Sequence, residues 1–159
     1  MTVVALMGAT ALFAQTDVVA TFQQATANAK ASNYTEAIAQ FESVIEAGWD
    51  IMDPDANQLK AIQGSKKFIV TCYNKMGVAA VNAKEYEAAI EHFTNAANYA
   101  ELYEDAAAMN KNTSIIGQVY QVQGADAFNN EDYATSIEVF SKGYAADPRN
   151  TEMALNLAE

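Results

Sequence analysis

Two prolines in 159 residues leave the chain almost nothing to interrupt a helix, and seven glycines leave few turns that depend on one. Alanine is abundant, and with 51% hydrophobic and 18% charged residues the composition excludes a disordered chain. The length suits one domain with its own core. Cys72 is the only cysteine, which excludes an intrachain disulfide. It follows Val70 and Thr71 in an apolar stretch, so it reads as a buried small hydrophobe. A catalytic thiol needs a base beside it, and the single histidine, His92, falls in a different helix, between Glu91 and Phe93, as a surface or boundary residue.

Positive charge is also scarce. Nine basic residues face 20 acidic ones, for a formal charge of −11. Such a field repels phosphate backbones and anionic lipid surfaces, so nucleic acid is not an expected partner. The acidic excess is spread along the chain as a solubilising surface. There is no Gly-rich phosphate loop, no metal-ligand spacing and no nucleophile elbow, so no catalysis, cofactor or metal is expected. Asp50, Asp53 and Asp55 lack the glycine and closing glutamate of a calcium loop. They predict a helix start instead, with Asp53 as N-cap, Pro54 in the first turn and Asp55 at the positive dipole end.

Residues 1–14, "MTVVALMGATALFA", carry no charge at all. The run is too short to span a bilayer, and it ends in the small residues of a secretory signal peptide, with Leu12 and Ala14 at the cleavage positions and Gln15 first after cleavage. No Lys or Arg precedes it, which departs from the usual leader. The run predicts a periplasmic or secreted bacterial protein, not inserted in the membrane once the leader is removed. No cysteine follows it to carry a lipid.

What the chain has in quantity is one amphipathic template used three times. "SNYTEAIAQFESVI" (32–45), "AKEYEAAIEHFTNAA" (83–97) and "NEDYATSIEVFSKG" (130–143) align on Tyr34, Tyr86 and Tyr133. Sixteen residues separate Ala25 from Phe41, Gly77 from Phe93 and Gly124 from Phe140. The first member of each pair is small and lies in one helix; the second is aromatic and lies in the next. A small residue lets two helices approach, and the ring fills the space beside it. This spacing predicts an all-α chain of antiparallel hairpins in units over about 17–48, 54–99 and 102–147, with a further helix starting at 150–159 and no capping signal after it. Each hairpin buries too little to stand alone, so stacking is required. Gly48 is expected to end the second helix in the left-handed conformation, with Trp49 folded back on the last turn. Tyr73, Tyr86, Tyr120 and Tyr133 are expected in the core, and Glu85, Glu87 and Glu91 on a solvated face.

Over roughly residues 17–159 the pattern resembles the tetratricopeptide repeat. The middle unit offers Tyr73, Met76, Gly77, Ala80, Ala89 and Phe93; the last offers Tyr120, Gln123, Gly124, Ala127, Ser136, Phe140 and Pro148; the first offers Ala25, Ala37 and Phe41. The resemblance implies a right-handed superhelix. The tyrosines, however, are 52 and 47 residues apart, against a family period of about 34. The surplus falls before the first helix of a unit and amounts to roughly five and three and a half helical turns. It reads as elongated helices; the alternative is an extra short helix ending near Gly64.

The resemblance further implies that a protein or peptide partner lies in the concave groove lined by first helices. The groove-facing places are Asn74, Val78, Val81 and Asn82 in the middle unit, and Gln118, Gln121, Ala125, Phe128 and Asn129 in the last. Paired lysines that clamp a terminal carboxylate in chaperone-binding members are missing from these places, which implies a polar groove for a neutral peptide or protein surface. Two other functions fit the same sequence. One is a structural or oligomerisation module packing on itself or on a downstream domain. The other is a small ligand-binding protein or enzyme with a pocket between long helices, whose mark is a deep pocket with converging polar groups.

Overall fold

The computed structural model describes residues 17–148 and 151–156, the side chains at 152 and 153 excepted. The expected signal peptide and its cleavage site lie outside the described residues. The fold is all-α: α1 (Val18–Lys30), α2 (Tyr34–Trp49), α3 (Ala56–Asn82), α4 (Tyr86–Leu102), α5 (Ala106–Asn129), α6 (Tyr133–Ala146) and α7 (Thr151–Asn156). Each helix packs on its neighbours in sequence order, as a helical repeat does. Among the described residues no helix is long and apolar enough to cross a membrane.

The paired small and aromatic residues meet across each hairpin. A Cβ built on Gly77 would lie 2.8 Å from the Phe93 ring, and one on Gly124 would lie 2.7 Å from the Phe140 ring. Ala25 and Phe41, both fully buried, share one cluster that Ile69 and Cys72 of α3 complete. Ser136 Oγ adds a buried bond to the Gly124 carbonyl oxygen at 2.9 Å, tying α6 to α5 at the same close approach.

Four tight reversals, α1–α2, α3–α4, α4–α5 and α5–α6, use one geometry. Ser32, Lys84, Glu104 and Glu131 sit at φ of 65°, 61°, 60° and 63°. The next amide bonds back to the last turn of the preceding helix: Asn33 to Asn28, Glu85 to Ala80, Asp105 to Ala100 and Asp132 to Ala127, at 2.8–3.0 Å. These are Schellman-type ends built without glycine. The hydrogen bonds hold the backbone where a Cβ is disfavoured by roughly 1–2 kcal/mol.

Both long first helices are continuous. α3 runs 27 residues straight through Gly64 and Ser65, and α5 runs 24. Gly64 does not end a short helix. It lets Phe22 of α1 approach to 2.8 Å of where a Cβ would stand. Phe68, four residues on, stacks on Phe41 at 5.4 Å, so the extra turns of α3 cover the first hairpin.

Several local expectations are corrected. The N-cap of α3 is Asp55, not Asp53. Asp55 Oδ1 accepts from Asn57 N at 2.7 Å and Gln58 N at 2.9 Å, and Gln58 Oε1 accepts from Asp55 N in return. That reciprocal pair satisfies more orphan amides than a lone Asp53 would, and Pro54 precedes the helix. Gly48 stays helical and its backbone admits Ile62 of α3, so α2 continues to Trp49. Trp49 is 78% exposed and does not fold back. Leu102 closes α4, and the third unit begins at the Asp105 cap. Tyr133 is 53% exposed rather than in the core. Its counterpart Tyr86 is covered by α5, whereas Tyr133 has the Phe128 ring against it and no long helix of the described residues over it.

Adjacent hairpins are also joined by polar links. Tyr86 Oη donates to Asp126, which also pairs with Lys84 Nζ at 2.8 Å, and Tyr99 Oη donates to Glu42. Burial first, then the hydrogen bond to Asp126, raises the Tyr86 phenol from 10.0 to about 12. A raised folded-state pKa contributes stability that is complete below the unfolded value and disappears as pH climbs through the folded one. Stability should therefore fall between about pH 10 and 12. Urea midpoints across that range will show it, and Tyr86→Phe should shallow the decline. An identical decline in that variant would remove Tyr86 as its source.

Candidate functional site

Three-residue reversals on either side of α4 make α3 and α5 run parallel, both packed on α4. α1 and α3 also touch directly, through Phe22 and Gly64. α3 and α5 scarcely touch each other, and the space between them is an open cleft.

The cleft has two halves. The first, about 480 Å³, lies between the middle turns of α3 and the N-terminal turns of α5, floored by Ala100 and Val70. Lys66, Lys67, Asn74, Lys111 and Asn112 line it. The second half, about 320 Å³, follows the same gap toward the helix C-termini and is apolar: Val78, Val81, Val119 and Val122 line it, with Asn82 and Gln118 at its edge. Its base is the Phe93 ring. Gln63, Lys67, Thr71 and Lys111 on the first half, and Val78, Asn82, Gln118 and Val122 on the second, are exposed along the rim.

The residues expected in the groove are thus divided. Val78, Asn82 and Gln118 line the apolar half together, and Asn74 lines the polar half. Phe128 and Asn129 lie elsewhere, in a small cleft of about 130 Å³ against Ala125, Phe140 and Asn156. Gln121 is half-buried, engaged in an interaction of its own, and lines neither half of the cleft.

The neutral character expected of the groove holds for one half only. Lys66, Lys67 and Lys111 stand on the elongated N-terminal turns of α3 and α5, before the repeat positions from which the groove was mapped. Among the described residues the ion pairs are Lys84 with Asp126 and Lys142 with Glu138; the three cleft lysines have no carboxylate within 4.0 Å. Lys66 Nζ lies 5.3 Å from the centre of the Tyr103 ring. Tyr103 belongs to a row with Tyr99 and Tyr73, whose centroids follow at 5.9 and 5.5 Å. Burial, reinforced by the Glu42 charge, pushes the Tyr103 phenol up, so it stays neutral. The one acid on this half, Asp105, is occupied as the α5 cap, accepting from Ala108 N at 3.0 Å.

Asn112 was not singled out by its sequence context. It is fully buried, its Nδ2 donates to the Ala108 carbonyl at 2.9 Å, and its Oδ1 has no donor. Turning the amide over would set its oxygen against that carbonyl oxygen, so the orphaned acceptor remains. Asn74 Oδ1 is orphaned in the same half. The adjacent pair Lys66-Lys67, in a chain with nine basic residues, is the one sequence feature that pointed here.

Elsewhere chemistry is sparse. Burial raises the Cys72 thiol to about 11, which keeps it protonated and inert at neutral pH. His92 is half-buried, with its ring 6.4 Å from Tyr73. Among the described residues no three His, Cys, Asp or Glu side chains come together as a metal site. Glu85, Glu87 and Glu91 are exposed, and Glu87 accepts from Gln123 Nε2 at 2.7 Å across α4 and α5. No protein-family model and no curated protein sequence matches the chain.

Proposed function

We propose that the protein is a non-catalytic, tetratricopeptide-like scaffold that holds an extended peptide segment of a protein partner in the cleft between α3 and α5. The observation that carries this reading is the gap itself. Two parallel helices stand apart over most of their length, and the floor beneath them is built from α4 side chains including Phe93. A long trough with exposed rims fits a polymer passing through it better than a small molecule enclosed on all sides. Asn82 and Gln118 at the edge can each donate and accept to a peptide backbone, while the valines take an apolar side chain.

Selection from a random peptide display library is the direct test. Enriched peptides should lose about tenfold or more in affinity when Val78 and Val122, both roughly half exposed, are replaced together by arginine. The fold should be kept, since both sites face solvent. No enrichment, or peptides indifferent to the double variant, would remove the groove from the reading. Export to the periplasm or beyond belongs to the same proposal and rests on the charge-free run 1–14. N-terminal sequencing of envelope-derived protein should begin at Gln15; protein retaining residues 1–14 in the cytosol would overturn that part.

A further inference from the structure

We infer that the polar half of the cleft selects peptides carrying side-chain carboxylates, set about five residues from an apolar anchor in the other half; this rests on the proposed peptide-binding role of the cleft. The first ground is charge. In a chain of formal charge −11, three of nine basic residues converge on one trough, and none of the three has a carboxylate partner among the described residues. Lys67 and Lys111 are exposed at opposite rims, one on each helix, and Lys66 lies over the Tyr103 face, where it also borders a second cleft lined by Glu42 and Glu46. An acidic segment is the complement, and the surrounding negative surface repels acids elsewhere and so favours this one docking place.

The second ground is independent of charge. Asn112 Oδ1 belongs to a fully buried residue, and Asn74 Oδ1 is shielded from solvent; both lack donors and both residues line this half. A buried acceptor without a donor is costly. A fully deprotonated inorganic anion such as sulfate brings no donor, and phosphate brings at most its own hydroxyls, whereas an extended peptide brings a row of backbone N–H groups together with its carboxylates. An acidic peptide is therefore the occupant that pairs with the lysines and also offers donors to the asparagine oxygens once their amides turn toward the cleft.

Helix geometry sets the spacing. Lys67 and Val78 are eleven positions apart on α3, which is about 16 Å along the axis. An extended chain advances about 3.3 Å per residue, so the carboxylates and the apolar anchor are about five residues apart.

The test is fluorescence anisotropy on the full chain with labelled, end-blocked peptides. One carries glutamates about five positions from a leucine pair; a second has every glutamate replaced by glutamine; a third has the two blocks adjacent. The first should bind about tenfold or more tightly than the other two, and its advantage should vanish in the Lys67→Glu, Lys111→Glu double variant. Both lysines are exposed, so the fold is expected to survive, and circular dichroism checks it. Lys67→Gln with Lys111→Gln gives the same readout without charge reversal. Equal binding of the glutamate and glutamine peptides would overturn the inference while leaving the apolar groove in place. Displacement of the peptide by equimolar inorganic phosphate would also overturn it, marking a simple anion site. Failure of every peptide, including those from display selection, would instead overturn the groove reading beneath it.

Discussion

Replacing Phe93 by alanine is expected to destabilise the fold by about 3–5 kcal/mol, the range for a large buried aromatic. The ring is 2% exposed and sits in a cluster with Ala80, Tyr86, Ala89 and Val119, so it touches α3, α4 and α5 together. Its edge lies over Gly77, where no side chain can move in to fill the void. The cavity left behind would open at the floor of the apolar half of the cleft. Urea unfolding midpoints measure the loss. A change below about 1 kcal/mol would mean the ring is not held between the hairpins.

Gly77→Ala should also destabilise, which is opposite to what helix propensity alone dictates. Alanine in place of a mid-helix glycine gains about 1 kcal/mol when nothing opposes it. Here the new Cβ would stand 2.8–2.9 Å from three atoms of the Phe93 ring, inside van der Waals contact, and a rigid ring cannot yield at one atom alone. Overpacking of this kind costs about 1–3 kcal/mol, so a net loss near 1 kcal/mol is expected. In the Phe93→Ala background the clash is gone, and Gly77→Ala should become stabilising by up to about 1 kcal/mol. The change of sign is the diagnostic. Gly124 and Phe140 offer the same experiment one unit later, with a closest approach of 2.7 Å. Stabilisation by Gly77→Ala in the otherwise unaltered protein would refute the close packing of α3 and α4.

The sixteen-residue separation of Gly77 from Phe93 and of Gly124 from Phe140 was enough to foretell which atoms meet. A small residue and an aromatic that recur at the same spacing on the apolar stripes of three hairpins are best explained by one ring packing on one small residue each time. Helix identity was likewise written in local terms, since few prolines and a 3.6-residue apolar spacing act within a turn or two. The long surplus before each unit was readable as extra helical turns for the same reason. Cap choice was less so: Asp53, Asp55 and Pro54 compete within three residues, and the reciprocal bond from Gln58 decides for Asp55.

Other features depend on which surfaces end up adjacent. Gly48 could be read as a helix stop until Ile62 of α3 is seen filling the space above it. Tyr86 and Tyr133 occupy the same place in the template, yet one is buried and the other exposed, because α5 covers the first and no long helix of the described residues covers the second. The cleft is the clearest case. Lys66, Lys67, Asn74, Lys111 and Asn112 come from two helices that scarcely touch each other, and they converge because both helices pack on α4. The sequence by itself determined the helices, their hairpin pairing and the rings between them, because those rest on neighbours close along the chain. Only the tertiary structure decided that α1 and α3 close together while α3 and α5 stand apart. That difference arises where side chains from three helices share one space, and no single stretch of residues encodes it.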